Sequence, residues 1–75
     1  MVMKLRLKEL RKEYGYLQIF IAEYLNIKQN TYSMYENGQR EIPLESLAKL
    51  SVLYETSVDY IMRLTDDDIP HLRKK

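Results

Sequence analysis

The sequence predicts an all-α domain of five short helices, and three observations carry that prediction. Apolar residues recur three and four positions apart along most of the chain, the spacing of a helix with one buried stripe. Two glycines and two prolines among 75 residues rich in Leu, Lys, Glu and Tyr favour helix over sheet. Between residues 18 and 40, two short amphipathic patterns flank a turn too short to let the helices lie antiparallel.

The elements follow in order. Met3, Leu7, Leu10 and Tyr14 form the stripe of a first helix over 3–14, with Lys4, Lys8, Arg11 and Lys12 off it. Gly15 stops it. A second helix opens near Gln18, buries Ile21, Ala22 and Leu25, and ends at Asn26, a residue that tolerates left-handed backbone angles. A third runs from about Lys28 to Tyr35 with Ile27, Thr31, Tyr32 and Tyr35 inward, and Asn37-Gly38 marks a turn. Pro43 sits in the first turn of a fourth helix, whose buried stripe is Leu44, Leu47, Leu50, Ser51 and Tyr54. Ser57 is the expected N-cap of a fifth helix ending near Leu64. Residues 1–65 thus form the domain and 66–75 a C-terminal tail.

Bulk properties exclude several classes. A hydrophobic content of 45% supports a core, so the chain is not a disordered segment. Without cysteine there is no disulfide and no thiolate metal site. The single histidine, His71, has no spaced partner, so neither catalysis nor a cofactor is expected. Asp66, Asp67 and Asp68 read as a solvated run rather than a metal site. No apolar run approaches the ~20 residues of a membrane span, and no signal-peptide pattern opens the chain, so a cytoplasmic protein is expected. Twelve basic against eleven acidic residues leave a net charge of only +1. Attraction to a polyanion should therefore be modest, with helix N-termini and neutral amides supplying much of any phosphate contact.

The third helix carries the most informative chemistry. Gln29, Asn30, Ser33, Met34 and Asn37 fall at i, i+1, i+4, i+5 and i+8, and at 100° per residue they share one face. Gln and Asn form paired hydrogen bonds to N6 and N7 of adenine, a methionine covers a thymine methyl group, and a serine donates or accepts. Such a face suits base edges in a DNA major groove.

Residues 5–65 resemble the lambda-repressor-like, or Xre-type, helix-turn-helix family. The matching elements are Leu10-Arg11, Gly15-Tyr16, Gln18, Ile21-Ala22 with Leu25-Asn26-Ile27, Tyr35-Glu36-Asn37-Gly38 with Arg40, Ile42-Pro43-Leu44, Leu47, Leu50 and Ser57-Val58-Asp59-Tyr60-Ile61. Two positions depart from it: Leu17 and Lys28 stand where the family commonly has a Ser or Thr cap, whose oxygen contributes about 0.5–2 kcal/mol.

The resemblance implies a DNA-binding transcription regulator, expected to be a repressor. The shared face of the third helix gives base reading to Gln29, Asn30, Ser33 and Met34; the resemblance assigns phosphate contact to Gln18, Asn37, Gln39 and Arg40, and Lys28, where the family has a cap, is expected to add a phosphate contact of its own. The resemblance also implies an ion pair between Arg11 and Glu36 that locks the first helix to the end of the third. One helix reads only ~4–6 base pairs, so a homodimer on a palindromic operator is expected, with Tyr60 and Leu64 as its surface. The alternative is an antitoxin-like protein that sequesters a toxin and binds DNA to regulate itself.

Overall fold

Every helix in the computed structural model, which describes residues 5–64, ends in the same backbone device. The helices are α1 (Leu7–Glu13), α2 (Gln18–Leu25), α3 (Gln29–Glu36), α4 (Leu44–Leu53) and α5 (Val58–Ile61). Shortly after each comes a residue with positive φ: Gly15, Asn26, Gly38, Glu55 and Arg63. The next amide then bonds back five residues: Tyr16 to the Arg11 carbonyl, Ile27 to Ala22, Gln39 to Met34, Thr56 to Ser51 and Leu64 to Asp59. This closure satisfies carbonyls that the helix leaves unpaired and turns the chain sharply. It is what lets five helices fit into so short a chain.

Two of those closures rest on side chains that resist the left-handed region. Glu55 holds φ 52 and Arg63 holds φ 62. Glu55 is exposed, so replacing it with glycine removes strain without removing packing. Glu55→Gly should stabilise the domain by about 1 kcal/mol, less the extra freedom glycine gives the unfolded chain. That gain raises Tm by a few degrees in a thermal melt; an unchanged or lower Tm would show that the turn carries no strain.

The helix starts are plainer. Leu17, Lys28 and Pro43 precede α2, α3 and α4 in extended conformation and supply no capping oxygen. Pro43 therefore stands just before α4 rather than in its first turn, where φ −62 still suits its ring. Ser57 does cap α5, its Oγ accepting from the Tyr60 amide at 3.0 Å.

Leu7, Leu10, Ile21, Ala22, Leu25, Tyr32, Tyr35, Leu47, Leu50, Tyr54 and Ile61 form one core to which all five helices contribute. Four further expectations need correction. First, α1 begins at Leu7 instead of residue 3, and Met3 lies outside the described residues, as does the 66–75 tail. The Arg6 amide is spent on the Ile61 carbonyl at 2.9 Å, and Arg6 Nε donates to the Tyr60 carbonyl at 2.8 Å. The chain entering α1 thus covers the end of α5 rather than extending the helix. Second, α5 stops at Ile61, because Arg63 turns left-handed and Leu64 closes back on Asp59.

Third, Leu44 is 71% exposed: as the first residue of α4 it has no preceding turn beneath it, and Leu47 and Leu50 do the packing. Fourth, Tyr14 is 42% exposed. Its ring lies 5.1 Å from that of Tyr54 and 6.0 Å from that of Tyr16, and its hydroxyl donates to the Tyr54 carbonyl at 2.7 Å. It seals the core's edge with its polar tip bonded.

Candidate nucleic-acid interface

Asn26, Ile27 and Lys28 join α2 to α3, and the left-handed Asn26 turns the chain so that the two helices pack across each other. On α3, Tyr32, Tyr35 and Glu36 are buried. Gln29 and Asn30 are exposed at its N-terminal end, with Ser33 and Met34 half-buried along the same face. Lys28, just before α3, is exposed, as are Asn37, Gln39 and Arg40 after it. Helical spacing therefore brings the amide-bearing residues to one outer surface, with a cation at the chain entry and another in the loop beyond.

Beneath this surface lies a polar cluster that joins three helices. Glu36, at the end of α3, has a side chain only 2% exposed, and Arg11 of α1 one only 11% exposed. Arg11 Nε donates to Glu36 Oε2 at 2.6 Å, Nη2 to Oε1 at 3.3 Å, and Nη1 to the Tyr16 carbonyl at 3.0 Å. From the start of α2, Gln18 Nε2 also donates to Glu36 Oε1 at 3.0 Å. Gln29 Nε2 in turn reaches Gln18 Oε1 at 3.5 Å. The expected Arg11–Glu36 pair is present and is part of a larger network.

Burial alone would raise the Glu36 pKa, but the hydrogen bonds from Arg11 and Gln18, with the Tyr32 hydroxyl close by, outweigh it and hold the carboxyl below its ordinary value. The Arg11 guanidinium is pushed up, chiefly by its hydrogen bond to Glu36. Burial and the neighbouring Glu36 carboxylate push up the Tyr32 hydroxyl, and burial does the same for Tyr54. Both hydroxyls lie in the interior without a hydrogen bond of good geometry, Tyr32 beside a carboxylate that is already shared between Arg11 and Gln18. All four groups keep one charge state across neutral pH. The cluster is fixed scaffolding rather than a proton-transfer site.

The involvement of Gln18 and Gln29 was not read from the sequence. Their separation of eleven residues means little until the turn at Asn26 brings the two helix starts together. A second feature missed is the outer side of α2. Leu17 is 69% exposed, and Ile19 and Phe20 are each 43% exposed, with the Phe20 ring 4.7 Å from that of Tyr16. Tyr24, also exposed, is tethered to α4 through its hydroxyl, which donates to the Lys49 carbonyl.

Tyr60 and Leu64 differ in setting. Tyr60 is half-buried, packs against the core, and has the Arg6 guanidinium 4.3 Å above its ring. Its ring is therefore partly engaged within the chain, whereas Leu64 is 64% exposed.

Two closely packed short helices, a tight turn between them and a polar outer face on the second define a helix-turn-helix domain. A family model described as helix-turn-helix matches residues 7–61, and the chain belongs to that family, in its lambda-repressor-like branch. Among its relatives, an uncharacterized HTH-type transcriptional regulator of Bacillus subtilis, YobD, is 40% identical over 70 residues. That alignment covers 93% of this chain and 62% of the relative. The HTH-type transcriptional regulator ImmR of the same organism is 47% identical over 57 residues, 76% of this chain and 45% of ImmR. The chain thus spans between about half and two thirds of these relatives' lengths. A crystal structure of a transcriptional regulator from Listeria innocua superposes with a TM-score of 0.76 at 29% identity, covering 83% of this chain and 58% of that one.

Proposed function

We propose that this chain binds duplex DNA in a sequence-specific manner and regulates transcription, as a repressor, by placing α3 in the major groove. The observation that carries this reading is the exposed pair Gln29 and Asn30 at the start of α3, braced from behind by Gln18. Ser33 and Met34 extend the reading surface. Gln18, Lys28, Asn37, Gln39 and Arg40 surround it and are suited to phosphate contact. None of these roles needs a cofactor.

Arg40 gives the test of the electrostatic part. Arg40→Ala should weaken binding to every duplex by a similar factor and lower the slope of log affinity against log salt by about one ion. A titration at several salt concentrations reads both, and an unchanged slope would remove Arg40 from the phosphate set.

Because a single α3 spans so few base pairs, the chain is proposed to act as a homodimer on a palindromic operator. The α5 end is the surface proposed for this contact, with Leu64 exposed and Tyr60 contributing the part of its ring that Arg6 leaves open. Leu64→Lys should leave the melt unchanged and shift sedimentation toward monomer; a variant that still sediments as a dimer would move the interface elsewhere.

The antitoxin-like alternative draws on a different observation, the apolar outer side of α2 at Leu17, Ile19 and Phe20. A stoichiometric complex with one small protein partner that lifts DNA binding would favour it over the regulator acting alone.

A further inference from the structure

Three cations among the described residues are claimed by the fold. Arg6 bonds the Tyr60 carbonyl and lies over the Tyr60 ring, Arg11 pairs with Glu36, and Arg63 pairs with Glu9. Lys28 and Arg40 flank α3 and belong to the interface proposed above. Lys49 on α4 and a pair on α1, Lys8 and Lys12, are left over. Both α1 lysines are exposed, and neither is in an ion pair among the described residues.

Charge is sorted around α1. A helix turns about 100° per residue, so Lys8 and Lys12 lie about 60° and 100° past Arg11, away from the core. Glu9 and Glu13 come next, toward the opposite border of the buried stripe. Two contacts fix where each border faces. Arg11 reaches Glu36 at the end of α3 and the Tyr16 carbonyl just before α2, whereas Glu9 reaches Arg63 after α5. The lysines therefore stand beside the end of α3, where Asn37, Gln39 and Arg40 emerge, and the acids stand toward α5.

Helix stability does not account for this pattern. Lys8 and Lys12 are like charges one turn apart, and Lys8 is a cation in the first turn; both are mildly unfavourable in a helix. Only Lys12, in the last turn, suits the helix dipole. A bound polyanion accounts for both lysines.

We propose that Lys8 and Lys12 form a second backbone contact for duplex DNA, holding one or two phosphates beside those met by the loop after α3. This deepens the proposed function and rests on the chain binding duplex DNA. The Arg11–Glu36 pair between the two cationic groups is neutral as a unit and opposes neither. A chain of net charge +1 thus attracts a polyanion by turning the positive edge of α1 toward it and the acids away. Phosphates carry no base identity, so this edge adds affinity and steadies α3 in the groove without changing which bases are read.

The test is a set of titrations of the full chain at several salt concentrations, against a duplex selected from a random pool and a scrambled one. Ethylation interference maps the phosphates that binding requires. The variants are Lys8→Gln, Lys12→Gln, the double substitution, its double Lys→Arg counterpart, and Lys49→Gln as a loss of equal charge elsewhere. Alanine replaces glutamine in any variant whose melt shows that it does not fold. Each α1 glutamine should lower the slope of log affinity against log salt by about one ion, and the double substitution by about two. The preference for the selected duplex should persist, the arginine variant should keep the full slope, and Lys49→Gln should leave it unchanged. The double glutamine variant should also lose one or two required phosphates that Arg40→Ala retains.

An unchanged slope in the double variant would overturn the α1 contact and leave DNA binding through α3 standing. An equal fall with Lys49→Gln would reduce the effect to net charge and overturn it as well. Loss of the same phosphates as in Arg40→Ala would show that α1 holds no contact of its own. A chain that binds neither duplex would fail the proposed function, and the α1 contact with it.

Discussion

Arg11→Ala is expected to cost the domain about 3 kcal/mol or more, because it strands a buried carboxylate rather than deleting a surface charge. The Glu36 side chain is 2% exposed and takes two of its hydrogen bonds from Arg11. The Tyr16 carbonyl loses its donor at the same time. For a domain of this size the loss is a large share of total stability, and Tm should fall by roughly 15 °C. Thermal or urea melts read it directly. A variant that melts normally would show that Glu36 finds water or another donor when Arg11 is gone.

The same pair gives a pH dependence of definite sign. The folded protein holds Glu36 below its ordinary pKa, so the unfolded chain takes up that proton more readily. The pair's contribution is complete above the ordinary carboxylate range and is lost as pH falls through the lower, folded value. Tm should therefore decline in acid, and the decline should be shallower in Arg11→Ala, whose Glu36 no longer has the donor that lowers its pKa.

Gln29→Ala or Asn30→Ala is expected to cost about 1–3 kcal/mol on the preferred DNA site, with little change on unrelated DNA. Both side chains are exposed, so neither substitution should disturb the fold. Competition titrations against specific and nonspecific duplexes separate the two effects. Equal loss on both would mean that these amides touch the backbone and not the base edges.

Much of this was legible in the sequence because the relevant signals are local. The 3.6-residue period marks Leu7, Leu10, Ile21, Leu25, Tyr32, Leu47 and Leu50 as core, and Gly15, Asn26 and Gly38 announce the turns that follow α1, α2 and α3. The turns after α4 and α5 were hidden because Glu55 and Arg63 carry no propensity for the left-handed backbone they adopt. Tertiary closure imposes it there. The start of α1 was placed too early for a related reason: periodicity continues through Met3, but the Arg6 amide is claimed by Ile61, far away in sequence.

The candidate site divides in the same way. Family resemblance pointed to Arg11–Glu36, and helical spacing to the amide face of α3. The bonds from Gln18 to Glu36 and from Gln29 to Gln18 depend on three helix ends meeting in space, and no spacing rule states that.

The central claim is that α3 reads DNA sequence, and the most direct measurement is a pair of binding titrations. The first uses the duplex selected from a random pool, the second a scrambled duplex of equal length and composition, both at physiological salt. Sequence reading by paired α3 helices predicts tighter binding to the selected site by about 10³-fold. Equal affinity for the two duplexes, or no binding to either, would contradict it.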